Sequence, residues 1–156
     1  MIYFLGILFV SFIGTLGHFL YKFTNKDKLV GFFFSVNESL YEHLKLGFTP
    51  MLLWMIVENI KLINNDNLIA IKGISFFIFT LVIAIPYFIT NKLLQMNNTF
   101  INLSSFYIAV LLAYVTTFLL NNAIYLPKLL IFLGIIFFTL VIASYFISKI
   151  KIKKSV

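Results

Sequence analysis

The sequence contains no cysteine and no arginine, and it has few charged residues of either sign. Without cysteine there can be no disulfide, thiolate metal site, iron–sulfur cluster or thiol nucleophile. Charged residues make up 11% of the 156 residues and hydrophobic residues 62%, whereas a soluble domain is typically about 25% charged. This composition predicts an integral membrane protein. With no arginine and no continuous basic face, it also argues against a nucleic-acid partner.

Four apolar segments are each long enough, at about 20 residues, to cross a bilayer as a helix, and a fifth reaches that length when its polar first turns are included. They predict an all-α membrane bundle of five transmembrane helices in a single domain, residues 1–156. The predicted spans are 2–21, 37–58, 68–90, 103–121 and 128–148. No internal repeat is visible, so the sequence does not support an inverted-repeat transporter within one chain.

Eleven of the twelve lysines, all but Lys45 within the second span, are distributed unevenly between the two sides of the predicted bundle. Eight lie on one side: Lys22, Lys26, Lys28, Lys92, Lys149, Lys151, Lys153 and Lys154. Three lie on the other: Lys61, Lys72 and Lys128. Because cytoplasmic loops are enriched in lysine, this asymmetry predicts a multi-pass protein of the cell membrane with its N-terminus outside and its C-terminus in the cytoplasm. A re-entrant second segment would split the lysines almost evenly and leave orientation undetermined.

One stretch, residues 35–45, concentrates polar chemistry in an otherwise apolar chain. It places two carboxylates, an imidazole and an ammonium within eight residues, 38–45. The next charged residue after Lys45 is Glu58, and the 12 uncharged residues between them cover only about 18 Å of helix, short of the roughly 30 Å hydrocarbon core. We therefore expect this stretch to lie partly inside the membrane, at the cytoplasmic leaflet.

Two interpretations of this stretch remain open. In the first it only starts a helix: Ser35-x-x-Glu38 fits a capping box, and Glu42 pairs with Lys45 three residues on. In the second it is a site, because Glu42 lies one turn deeper than a cap requires and because charged groups in membranes are costly.

The second interpretation also draws in a histidine from the first span. In an antiparallel pair of helices, His18 and His43 agree in depth to within about 5 Å. The candidate binding residues are His18, Asn37, Glu38, Glu42, His43 and Lys45. Of these, His18, Glu38, Glu42 and His43 form an acceptable ligand set for a divalent metal cofactor.

The pattern Asn37-Glu38-Ser39-x-x-Glu42-His43-x-Lys45, together with His18 upstream, resembles a family of small multi-pass bacterial membrane proteins of unknown function. That family carries an Asn-Glu-Ser-x-Trp-Glu-His-x-Lys type of signature, and Tyr41 stands here in place of the tryptophan. The resemblance implies a bacterial membrane protein of the low-GC Gram-positive type. It implies no activity, substrate or cofactor.

Three functions are compatible with the sequence. The favoured one is binding or movement of a cation, a proton or a polar head group at the cytoplasmic-leaflet site; transport would require a homo-oligomer or a membrane partner. The second is a membrane-embedded enzyme, metal-dependent in one version, acting on a lipid-like substrate. The third is a non-catalytic structural or assembly partner within the lipid bilayer. An enzyme is the less favoured reading because no nucleophile stands out.

Overall fold

The computed structural model of the protein describes residues 1–36, 39–61, 67–93 and 99–154, with the backbone alone at 22, 91–93, 99 and 146–154. Within those ranges the chain is helical and has no β-strand. The elements are α1 Ile2–Phe23, α2 Lys28–Phe33, α3 Leu40–Lys61, α4 Leu68–Tyr87, a π-helical segment Phe88–Leu93, α5 Thr99–Asn121 and α6 Lys128–Lys154.

Four of these helices are long and apolar enough to cross a membrane. The four windows are Ile2–Tyr21, Leu68–Thr90, Phe100–Asn121 and Lys128–Tyr145, in α1, α4, α5 and α6. Helix α3 has sufficient length, because its 22 residues extend about 33 Å at 1.5 Å per residue. Its hydropathy is lower because it contains Glu42, Lys45 and Glu58. The all-helical fold with four membrane-compatible helices is thus confirmed, while the count of five spans and the orientation stay predictions.

Helix α3 runs antiparallel to α1 along the bundle. Near the start of α1, a β-carbon on Gly6 would lie 2.6 Å from the Trp54 indole nitrogen of α3. Further along α1, a β-carbon on Gly14 would lie 2.7 Å from the Leu46 carbonyl oxygen. The two glycines therefore let α3 approach α1 closely, as small residues do at helix interfaces in membranes.

Helix α4 lies between α3, α5 and α6 and packs against all three. It meets α6 at Gly73 and Gly134, where a β-carbon on either glycine would overlap the backbone of the other helix. It meets α5 through the buried hydroxyls of Ser75 and Thr117, whose oxygens are 2.8 Å apart. These contacts make α4 the central helix of the bundle.

The bundle has two ends, which we name by their residues. The Met1 end contains Met1 and the end of α3 at Lys61. The Tyr21 end contains Tyr21 and the start of α3 at Leu40. Because the helices alternate in direction, a residue near the start of α3 lies level with the end of α1.

A layer of apolar side chains fills the middle of the bundle. Val10, Phe48, Met51, Phe76 and Phe79 are each at most 3% exposed, and the Phe48 ring packs against the Phe76 and Phe79 rings with centroids 5.4 and 5.7 Å away. We call these five residues the apolar layer. It lies between the Met1 end and the Tyr21 end.

Helix α3 begins later than the sequence predicts. It starts at Leu40 rather than near residue 35 or 37, and the Ser39 hydroxyl accepts a hydrogen bond from the Glu42 amide at 3.4 Å. Ser39 is therefore the residue that caps the helix start. The predicted cap at Ser35 and Glu38 cannot be compared directly, because Glu38 lies outside the described residues.

Candidate functional site

Glu42 and Lys45 form an ion pair inside the protein. Nζ of Lys45 lies 2.7 Å from Oε2 of Glu42, with 0% and 8% of the two side chains exposed. The same carboxylate oxygen accepts a hydrogen bond from the Val36 amide at 2.9 Å. The Lys45 ammonium also donates to the Gly31 carbonyl of α2 at 2.8 Å. Both candidate residues thus tie the start of α3 to the segment that precedes it.

The short helix α2 covers this buried pair. Asp27 starts α2, since its carboxylate accepts hydrogen bonds from the Leu29 and Val30 amides at 2.8 and 3.1 Å. One turn beyond Lys45, the Thr49 hydroxyl donates to the Phe33 carbonyl at the end of α2. The apolar segment 29–34 therefore acts as a cover for the pair.

His18 and His43 meet at the Tyr21 end. Their ring centroids are 5.9 Å apart, which brings together the two histidines of the chain. Nδ1 of His43 lies 3.1 Å from the Ser39 carbonyl oxygen. Because a carbonyl oxygen can only accept, Nδ1 carries the hydrogen in this contact.

The two histidines line a cavity of about 600 Å³ between α1, α3, α4 and α5. Its polar groups come from His18, His43, Asn102 and from Thr15 and Tyr107, whose hydroxyl oxygens are 2.9 Å apart. The rest of the wall is carbon-rich and consists of Gly14, Phe19, Leu46, Ile83, Leu103 and Phe106. We call this space the histidine cavity.

The predicted residues do not all share one site. Among the described residues, no group of three or more histidines and carboxylates lies close enough to hold a metal ion. Glu42 faces Lys45 and the Val36 amide rather than joining the histidine pair. Asn37 and Glu38 lie outside the described residues, so the four-residue ligand set with Glu38 remains a prediction.

A second buried ion pair lies at the Met1 end. Glu58 and Lys72 approach to 2.5 Å, and both side chains are fully buried. The sequence counted Lys72 among the lysines of the less basic side and did not pair it with Glu58. The sequence signal that could have predicted the pair was Lys72 itself. It is flanked by apolar residues on α4, and its charge would be costly in a membrane without a partner.

The comparisons with known proteins give a family without an activity. The family of unknown function DUF6512 matches residues 1–153, almost the whole chain. No curated protein and no solved structure matches the chain.

Proposed function

Because the chain belongs to the DUF6512 family, whose function is unknown, we propose a function from geometry: it is a multi-pass membrane protein that binds a lipid-like amphiphile in the histidine cavity. In this proposal five helices, α1 and α3 to α6, cross the cell membrane. His18 and His43 hold the polar head group of the amphiphile. The observation that carries the proposal is the pair of imidazoles, 5.9 Å apart, on the wall of an otherwise largely apolar cavity.

The size and lining of the cavity support an amphiphilic ligand. Its volume of about 600 Å³ falls within the usual range of small-molecule sites, roughly 300–1,000 Å³, which are mostly apolar with a few placed polar groups. Ile83, Leu103 and Phe106 offer contacts to hydrocarbon. A bare cation would gain nothing from those carbon atoms, whereas an amphiphile uses both parts of the wall.

The position of the cavity also suits a head group. His43 lies three residues after the start of α3 and His18 five residues before the end of α1, which places both about 5 to 8 Å inside the helix ends. Lys26 and Lys28 are exposed at the same end. Exposed lysines near a membrane surface attract anionic lipid, so the proposed ligand has an anionic head group.

Binding fits this bundle better than movement across it. The apolar layer lies between the histidine cavity and the Met1 end, and its side chains are at most 3% exposed. A ligand held at the histidines would have to displace that layer to cross. Transport by the protein would therefore require a partner or a second copy that supplies another path.

Lipid binding by purified protein tests the proposal. Native mass spectrometry would compare phosphatidylglycerol with phosphatidylcholine of identical acyl chains, using the wild type, a His18→Ala/His43→Ala variant and a Thr139→Ala control. Thr139 is an exposed α6 residue whose hydroxyl donates to the Ile136 carbonyl of its own helix. One hydrogen bond to a charged group contributes about 1.5–3 kcal/mol, so the double variant should bind phosphatidylglycerol at least about tenfold more weakly.

The control variant should bind like the wild type. Equal affinity of wild type and double variant would overturn the proposal and favour a purely structural role for the two histidines. Equal binding of the two lipids in the wild type would show that the cavity does not select an anionic head group.

One observation favours a second candidate, a metal-dependent enzyme acting on a lipid-like substrate. In a site where two imidazoles bind one ion at about 2.1 Å, each ring centroid lies about 3 Å from the metal, so a separation of 5.9 Å is compatible with a shared ion. Glu38 or the substrate would have to complete the coordination. Elemental analysis decides this point: one transition metal per chain, lost in the His18→Ala/His43→Ala variant, would support the enzyme over the binding protein.

A further inference from the structure

The buried Glu58–Lys72 pair belongs to a larger polar group at the Met1 end. Nζ of Lys72 lies 4.6 Å from the centre of the Tyr114 ring. Gly6 of α1 packs closely against both that ring and Trp54, because a β-carbon there would lie 2.5 Å from Cε1 of Tyr114 and 2.6 Å from the indole nitrogen of Trp54. We call Trp54, Glu58, Lys72 and Tyr114 the Glu58 cluster. It joins α3, α4 and α5 next to α1.

The cluster contains more hydrogen-bonding groups than its own atoms satisfy. Glu58, Lys72 and Tyr114 are each at most 1% exposed. Within the described part of the chain, the indole nitrogen of Trp54, the hydroxyl of Tyr114 and the second carboxylate oxygen of Glu58, Oε1, have no hydrogen-bond partner. Lys72 and Oε2 of Glu58 partner each other as an ion pair.

Such groups are expensive to leave unpaired. A buried donor or acceptor without a partner costs about 1–3 kcal/mol, and a charged one costs more. Three side chains, Trp54 and Glu58 on α3 and Tyr114 on α5, would share that cost. Native proteins place nearly all buried polar groups in hydrogen bonds to protein or to ordered water. A partner molecule is therefore expected among them.

The chemistry of the cluster identifies that molecule. Trp54 and Lys72 only donate, the ionised Glu58 only accepts, and Tyr114 does both. An anion would meet Glu58 and a cation would meet Lys72, so a charged ligand is opposed on one side. A small molecule that both donates and accepts suits all four groups. Water has this character, and a buried water typically makes about three hydrogen bonds.

We propose that the Glu58 cluster encloses a water-binding site, separate from the histidine cavity, in which bound water bridges Trp54, Glu58, Lys72 and Tyr114. Glu58 lies three residues before the end of α3 and Lys72 four residues after the start of α4, about 5 to 6 Å inside the helix ends. The site therefore exchanges its water with the Met1 side of the membrane. The bound water then allows Glu58 and Lys72 to remain charged inside the bundle without direct exposure to solvent.

The single tryptophan of the chain provides a specific probe. In ¹⁵N-labelled full-length protein in deuterated detergent, the indole N–H of Trp54 gives one signal, and magnetisation transfer from water to it reports a water molecule in contact. The expected result is clear transfer in the wild type and in Lys61→Met, a control at the exposed end of α3. In Glu58→Met/Lys72→Met, which removes the charged partners, the transfer should fall at least severalfold.

Two results would overturn the proposal. One is an indole signal without water transfer in the wild type, which would mean a dry cluster. The other is undiminished transfer in the double variant, which would place the water outside the cluster.

A second measurement applies if the double variant does not fold. Hydroxyl-radical footprinting of the wild type should oxidise Tyr114, which is 1% exposed, because radicals form from bound water. An unlabelled Tyr114 beside a labelled Tyr125, which is 71% exposed, would also contradict the water site.

Discussion

Nζ of Lys45 lies 2.7 Å from Oε2 of Glu42 and donates at 2.8 Å to the carbonyl of Gly31 in another helix. One ammonium thus neutralises the carboxylate on its own helix and fixes the cover formed by α2. A buried charge with two such partners is stable in a membrane bundle. The ion pair and the position of α2 therefore depend on each other.

Removal of one member of this pair should destabilise the protein strongly. Lys45→Met or Glu42→Gln alone is expected to lower the free energy of unfolding by about 3–5 kcal/mol, because an uncompensated buried group remains. The Glu42→Met/Lys45→Met variant should cost less than the sum of the single changes. Thermal unfolding in detergent, followed by circular dichroism, measures the stability of each variant relative to the wild type.

Lys61→Met is the control for that series, since Lys61 is exposed at the other end of α3. It should unfold like the wild type. If Lys45→Met were as stable as Lys61→Met, the ion pair would have no structural role.

A methyl group added at Gly73 should separate α4 from α6. Its β-carbon would overlap the backbone of Gly134, and backbone atoms cannot move aside as a flexible side chain does. Gly73→Ala should therefore lower stability by about 1–3 kcal/mol or more, measured by thermal unfolding. Ala143→Val is the comparison, because Ala143 is exposed on α6 and should tolerate the larger side chain. Equal stability of the two variants would refute the close helix approach.

A larger side chain at Leu103 should block the histidine cavity without changing its imidazoles. Leu103 lines the cavity and is 47% exposed, so a tryptophan at this position can occupy the space without disturbing the buried core. We expect Leu103→Trp to bind phosphatidylglycerol at least about tenfold more weakly, with an unchanged unfolding midpoint. Leu129→Trp, at an exposed position on α6, controls for the added indole. Unchanged lipid binding in Leu103→Trp would place the ligand elsewhere.

Introduced cysteines test the five-span topology directly, because the natural chain has none. Thr24 and Tyr125 are both exposed and lie at opposite ends of the bundle. In intact cells, a membrane-impermeant maleimide should label Tyr125→Cys at once and Thr24→Cys only after permeabilisation. The reverse pattern would invert the orientation. Labelling of both from one side would show that α3 does not cross.

The sequence predicted the local features of the site because local spacing determines them. Glu42 and Lys45 are three residues apart on one helix, so their side chains are neighbours. His18 and His43 required only the assumption of an antiparallel pair, which equates their depths. The start of α3 was harder, because Ser-x-x-Glu occurs at Ser35 and again at Ser39, and the two possible caps differ in register by one turn.

The Glu58–Lys72 pair could not be predicted in the same way. The two residues lie on different helices, and each is close enough to a helix end for its charge to reach the membrane surface. Only the packing of α3 against α4 shows that they face each other. The contacts between α2 and α3 were equally difficult to predict, because Lys45 and Thr49 donate to backbone carbonyls. Every residue has a backbone carbonyl, so the sequence does not indicate which one accepts.

The apolar layer has a consequence for the cell that makes this protein. Polar groups lie at both ends of the bundle. A continuous chain of water between them would let ions leak across a membrane and dissipate its ion gradients. Val10, Met51 and Phe76, each fully buried, lie between those ends. A chain of water would have to displace these side chains, so the apolar layer keeps the charged groups at the two ends of the bundle apart.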